Sequence, residues 1–201
     1  PDFRQFIDFF YTGIKVNDSG IIYLHDDINN QYHQYYTEDT NILNTEIENT
    51  YFQVSIKQTD FMSVKDEVLV KKYIFENKNT IDLNINFLTY CKLLSDTNNM
   101  VGSRIENNIL KQYSHDYTVC TFSKNEISSY QLNDTKDNID SGVIYDKDYI
   151  GMSADSSLCY QLGTIKPGEK KELVIYICIE QNEKLDPESL EKKIHTIQKM
   201  D

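Results

Sequence analysis

Apolar residues in this chain recur at every second position, and that period decides what it can fold into. In NTIDLNINFL (79–88), Ile81, Leu83, Ile85 and Phe87 fall on one face, and Asp82, Asn84 and Asn86 on the other. The pattern predicts a strand with one wet face. YFQVSIKQ (51–58) sets Phe52, Val54 and Ile56 against Gln53, Ser55 and Lys57. In EVLVKKYIFEN (67–77), Val68, Val70 and Ile74 take one side, and Leu69, Tyr73 and Phe75 the other. ELVIYICIE (172–180) is apolar on both faces, with Leu173, Ile175, Ile177 and Ile179 opposite Val174, Tyr176 and Cys178. Such a strand must be covered on both sides, by another part of the chain or by a partner domain. Frequent Tyr (15) and Phe (9) support strands throughout.

The punctuation between these runs fits antiparallel pairing. NDSG (17–20) predicts a hairpin between TGIKV and IIYLH. KPGEK (166–170) places Pro167 and Gly168 where a type II turn wants them. It is expected to join SLCYQLGTI to ELVIYICIE as a second hairpin. Loops rich in Asn and Asp are expected at 95–99 and 133–141. Helix signals are confined almost entirely to the end. In LDPESLEKKIHTIQKMD, Asp186 suits the N-cap, Pro187 the first helical position and Glu188 the first turn. Leu190, Ile194 and Ile197 form an apolar stripe. The expected fold is therefore all-β, an antiparallel β-sandwich of ten or more strands over 1–184, followed by an amphipathic helix within 185–201.

Charge narrows the choice of partners. The net charge is −12, and the only arginines among 201 residues are Arg4 and Arg104. That balance argues against nucleic acid and against an anionic membrane surface, since both need clustered cations. No run approaches the roughly 20 apolar residues of a membrane span. The chain opens at Pro1 inside what already reads as folded structure, so a fragment of a longer protein is expected. Cys91, Cys120, Cys159 and Cys178 lie far apart within strand-like runs. They read as buried free thiols in a reducing compartment, the cytoplasm.

The densest cluster of polar chemistry is IYLHDDINNQYHQYY (22–36). His25, Asp26, Asp27 and His33 are candidate metal ligands, but they match no zinc spacing, and Asp26, Asp27 and Asn29 lack the calcium-loop pattern. No metal and no cofactor is expected. The adjacent acids Asp26–Asp27, Glu38–Asp39 and Asp66–Glu67 point to opposite faces if they lie on strands, which does not suit a facing acid/base pair. Ser153, Ser156 and Ser157 with His115 lack a nucleophile elbow. The tyrosine clusters YHQYY (32–36) and QYSHDY (112–117) are the better binding candidates. Tyr32, His33, Tyr35 and Tyr36 combine aromatic faces with polar donors, a mix suited to carbohydrate; the plainer reading is a set of half-buried strand residues.

GIKVNDSGIIYLHDDINNQYHQYYTEDTNILNTEI, KKYIFENKNTIDLNINF, LKQYSHD and DYIGMSADSSLCYQLGTIKPGEKKELVIYICIE carry a resemblance spread over Phe9 to Glu180. Together they resemble the N-terminal domain of bacterial glucoamylase-like enzymes, glycoside hydrolase family 15. The resemblance implies a β-supersandwich of the galactose mutarotase type, lacking the family's first strands. It also implies that the terminal helix begins a linker to a catalytic (α/α)6 barrel of the same chain, of roughly 400 residues. The family's catalytic glutamates reside in that barrel, so no acid here inherits their role. The implied function is non-catalytic support of an enzyme acting on α-glucans. The alternative is a stand-alone carbohydrate-binding module. On either reading the opening stretch becomes a hairpin of the sandwich. An apolar patch on strand 173–179 would dock on the barrel or form a homodimer contact.

Overall fold

The computed structural model describes residues 5–63, 65, 67–94, 101–144, 150–182 and 187–198. Asp66, the loop at 95–99, the N-cap Asp186 and the side chain of Leu190 lie outside the described residues. The described residues form two antiparallel sheets, with strands numbered along the chain. One sheet has five strands, in the order β11 (Ser129–Gln131), β13 (Asp155–Ile165), β7 (Leu83–Leu93), β1 (Ile7–Val16) and β2 (Ile21–Tyr23). The other has nine: β12 (Ile150–Gly151), β8 (Gly102–Glu106), β9 (Ile109–Tyr113), β10 (Tyr117–Phe122), β14 (Lys170–Gln181), β6 (Val68–Asn77), β5 (Val54–Ser63), β4 (Leu43–Asn49) and β3 (Asn30–Tyr36). The helices are α1 (Lys136–Asp140) and α2 (Pro187–Gln198). This is the all-β sandwich that the alternating patterns predict.

The main core lies between the sheets. Val54, Ile56 and Phe75 from the large sheet meet Ile14, Ile85 and Phe87 from the small one, all at most 1% exposed. Phe87 stands edge-on to Phe75, with centroids 5.8 Å apart, and tilts against Tyr73 at 4.7 Å. Aromatic pairs of this kind each contribute about 1 kcal/mol beyond their area. In β7 the wet face predicted from Asn84 and Asn86 holds for the first half of the strand. Further along, Leu88 and Tyr90 are buried on that same face with Ile139 of α1. The loop predicted at 133–141 thus contains a short helix that caps the small sheet.

The doubly apolar strand β14 is covered on its inner side up to Ile177 and over part of its outer side, while Ile179 stays 40% exposed. Leu173, Ile175 and Ile177 enter the main core, while Tyr176 and Cys178 pack with Val68, Phe122, Ile194 and Ile197. The cover on the outer face is α2 of the same chain.

Two local expectations fail. KPGEK makes the expected type II turn, with Gly168 at φ 75° and the Glu169 amide donating to the Lys166 carbonyl at 2.9 Å. It is not a hairpin, because β13 pairs with β7 and β11 while β14 pairs with β10 and β6. The turn carries the chain from one sheet to the other, since Ile165 and Leu173 fill the core from opposite sides. Likewise 22–36 is not a hairpin: β2 edges the small sheet and β3 edges the large one. Among the hairpins that went unread, the tightest is at Asn107–Asn108, where φ values of 51° and 63° give the two-residue turn between β8 and β9.

Where the sheet rims meet, Gly151 allows backbone to touch backbone. A Cβ there would lie 1.5 Å from the Leu132 carbonyl oxygen. Gly151→Ala is expected to cost about 3 kcal/mol, at the upper end of overpacking. Urea denaturation measures the loss, and faster amide exchange at 150–152 should accompany it.

Candidate binding cleft between the sheets

The pleat divides the tyrosine-rich stretch. In β3, Tyr32, Gln34 and Tyr36 share the face that looks toward the small sheet, and His33 and Tyr35 share the outer face. The ladder confirms this, since Tyr32 pairs with Ile47, which pairs with Ile56, and both isoleucines are in the core. The four proposed residues therefore do not form one surface. His33 packs on Tyr35 at 5.2 Å, and the Tyr35 hydroxyl donates to Glu46 at 3.0 Å, within a polar outer ladder. Tyr36 lies further along the inner face and is 67% exposed.

Tyr32 borders a cleft of about 490 Å³, in the usual size range of small-molecule sites. Thr12 of β1 and the 24–25 connection form one wall; Tyr32, Gln34, Thr45, Gln58, Asp60 and Lys71 from β3 to β6 form the other. The cause is a change of chemistry along single strands. On β5, buried Val54 and Ile56 are followed on the same face by Gln58 and Asp60. On β4, Ile47 is followed by Thr45 in the same sense. The inner face is apolar at one end and polar at the other, so the sheets close at one end and leave at the other a cleft with one polar wall, facing Phe10, Tyr11 and Leu24.

The polar wall is pre-arranged. Asp60 accepts from Lys71 Nζ at 2.9 Å and from Gln58 Nε2 at 2.6 Å. Gln34 Nε2 donates to the Thr45 hydroxyl at 2.9 Å. The Tyr32 hydroxyl accepts from Asn30 Nδ2 at 3.1 Å, and Asn30 in turn accepts from Asn49 at 2.9 Å. Tyr73 lies beside this wall; burial, then the Asp60 charge, push its phenol far above the ordinary range. Lys71 and Asp60 cancel each other, so the wall offers amides and hydroxyls without a net charge. That suits a neutral ligand rich in hydroxyl groups. Among the lining residues the only carboxylate is Asp60, and two donors already hold it. A pair of facing acids for glycoside hydrolysis is not assembled in this cleft.

Of the other candidates, His25 also lines the cleft, and the other described ones lie outside it. His25 stacks on Tyr11 at 4.5 Å and 13°. The Asp27 carboxylate accepts the Asn29 amide at 2.8 Å, turning the chain between sheets. Among the described residues no three metal-binding side chains converge. Ser156 and Ser157 are buried in β13, while the His115 side chain is 81% exposed on a turn of the other sheet. All four cysteines are buried and unbridged. Sequence reasoning missed Gln34, Thr45, Gln58, Asp60 and Lys71. The available signal was the switch from Val54 and Ile56 to Gln58 and Asp60 at unbroken period two.

Comparison with protein-family models and with curated proteins gives no match. Solved structures do match in fold. A bacterial glucoamylase complexed with acarbose superposes with TM-score 0.72 at 13% identity, covering 97% of this chain and 29% of that one. A putative kojibiose phosphorylase from the human microbiome gives TM-score 0.68 at 15% identity, covering 94% of this chain and 25% of that one. A putative aldose 1-epimerase from Escherichia coli K12 gives TM-score 0.52 at 10% identity, covering 75% and 69%. The sandwich is thus of the galactose mutarotase type, as the resemblance implies, and it spans under a third of the first two proteins.

Proposed function

We propose that this chain is a non-catalytic sandwich domain of a larger glucoamylase-like enzyme acting on α-glucans. It supports a catalytic (α/α)6 barrel of the same polypeptide, in the cytoplasm. The observation that carries this is the asymmetry of coverage: nearly all of this chain corresponds to about a quarter of two carbohydrate-active proteins. The single ion-paired carboxylate of the cleft agrees with a supporting role. A second reading, a carbohydrate-binding module, draws on the uncharged wall of Tyr32, Gln34, Gln58 and the Asp60–Lys71 pair.

One experiment separates these readings. The 201-residue chain and the full-length parent are assayed side by side on malto-oligosaccharides, with calorimetry on the shorter chain. Support alone predicts glucose release by the parent, none by the chain, and no heat of binding. Heat that disappears in Gln58→Ala selects the module. Hydrolysis by the chain itself overturns both.

A further inference from the structure

Cys120 on β10 and Cys178 on β14 are direct partners across the ladder. Both are at most 1% exposed, and both sit in the outer cluster beneath α2 with Ile194 and Ile197. Facing residues of an antiparallel ladder have Cα atoms about 4.5 or 5.5 Å apart. Either spacing lies inside the range a disulfide spans, roughly 4.4–6.8 Å. As facing residues of one ladder, both side chains point to the same outer face of the sheet. The other two cysteines lack this arrangement: Cys91 faces Phe10 and Ser156, and Cys159 faces Leu88 and Ser129.

The surroundings make the two sulfurs unequal. Lys111 is the ladder partner of Cys120 on β9, and Lys193 reaches from α2 to Glu180 at 2.7 Å. The facing Cys178 thiol, then Lys111 (itself paired with Glu106 at 2.7 Å) and Lys193, hold Cys120 below the ordinary thiol range against the opposing effect of burial. The facing Cys120 sulfur, then burial, hold Cys178 above it. By contrast, burial pushes the Cys91 thiol up to about 12.

The cover over the pair is a single helix at the end of the described chain. A 12-residue helix has little stability of its own. Its described anchors are Ile194, Ile197 and the Lys193–Glu180 ion pair. It should therefore lift from the sheet far more often than the sheets separate.

We propose that Cys120 and Cys178 are a reversible thiol–disulfide site for hydrogen peroxide, with Cys120 as the reactive thiol, Cys178 as the resolving thiol and α2 as the gate. The Cys120 thiolate attacks one peroxide oxygen and becomes a sulfenic acid; the other oxygen leaves as hydroxide and takes a proton to form water. The Cys178 thiol then attacks the sulfenic sulfur and gives its proton to the departing hydroxide. The S–S bond forms and the sulfenic oxygen departs as a second water. Two thiols lose two electrons and one peroxide gains them. The disulfide staples β10 to β14 directly under the helix, so its redox state acts on how α2 seats.

The test treats the native chain with hydrogen peroxide, alkylates remaining thiols under denaturing conditions and maps the peptides by mass spectrometry. A linked Cys120–Cys178 pair, with Cys91 and Cys159 alkylated, is the expected result; dithiothreitol should reverse it. In Cys178→Ser, dimedone should trap a sulfenic acid at Cys120. Ile194→Ala should speed linkage at least about tenfold by loosening the helix, without speeding oxidation of Cys91. Equal oxidation of all four thiols, or an unchanged linkage rate in Ile194→Ala, overturns the proposal.

Discussion

Asn77→Ala is expected to lower the unfolding free energy by about 4 kcal/mol, from several buried hydrogen bonds lost at one position. Asn77 is fully buried at the end of β6, where the chain crosses between sheets. Its Nδ2 donates to the Ile81 and Ile165 carbonyls, both at 2.8 Å, and its Oδ1 accepts the Asn79 amide at 2.8 Å. Its backbone also joins the turn after β13: its carbonyl accepts the Gly168 amide at 2.7 Å, and its amide donates to Glu169 at 3.1 Å. One side chain thus closes two inter-sheet crossings. Alanine leaves two carbonyls without their donor, and Asn77→Asp should be as damaging, since a carboxylate would face those carbonyls. Equilibrium urea unfolding measures the loss, and a change under about 1 kcal/mol would show that water replaces the amide.

The second large effect concerns Asp60 and Lys71, whose side chains are 17% and 14% exposed. Asp60→Leu is expected to cost about 3 kcal/mol, because it strands a largely buried ammonium. Lys71→Met should cost less, since Gln58 still donates to the carboxylate. The double change Asp60→Leu with Lys71→Met should recover most of the stability, as apolar replacement of a buried pair is often near neutral. Thermal melts of the four proteins give the coupling energy. Strict additivity would mean that the two charges are separately hydrated by the cleft. On the module reading, the double variant should keep its fold and lose its ligand.

Much of the architecture was legible because burial follows the pleat. The alternation of Leu83, Ile85 and Phe87 placed one face of β7 in the core. The two apolar faces of 173–179 required a second cover, which α2 supplies over part of the strand. The candidate site was legible only in part. Tyr32 borders the cleft, but His33 and Tyr35 were grouped with it because they are adjacent in sequence, and adjacent strand residues face apart. The polar wall draws on four strands, and the ladder alone brings Gln34, Thr45, Gln58 and Lys71 alongside one another.

The sequence by itself determined the strands, the type II turn at 166–169 and the amphipathic terminal helix, because each depends on residues a few positions apart. The tertiary structure alone decided which sheet each strand joins. KPGEK adopts the same local geometry whether its flanking strands pair or part. Ile165 and Leu173 part because each gains more by filling the core from its own side than by pairing with the other. The stretch 22–36 parts for a similar reason: Ile22 and Leu24 serve the core from the small sheet, while Asn30 to Tyr36 pair with β4 in the large one. The cleft between them exists only because these edges belong to different sheets.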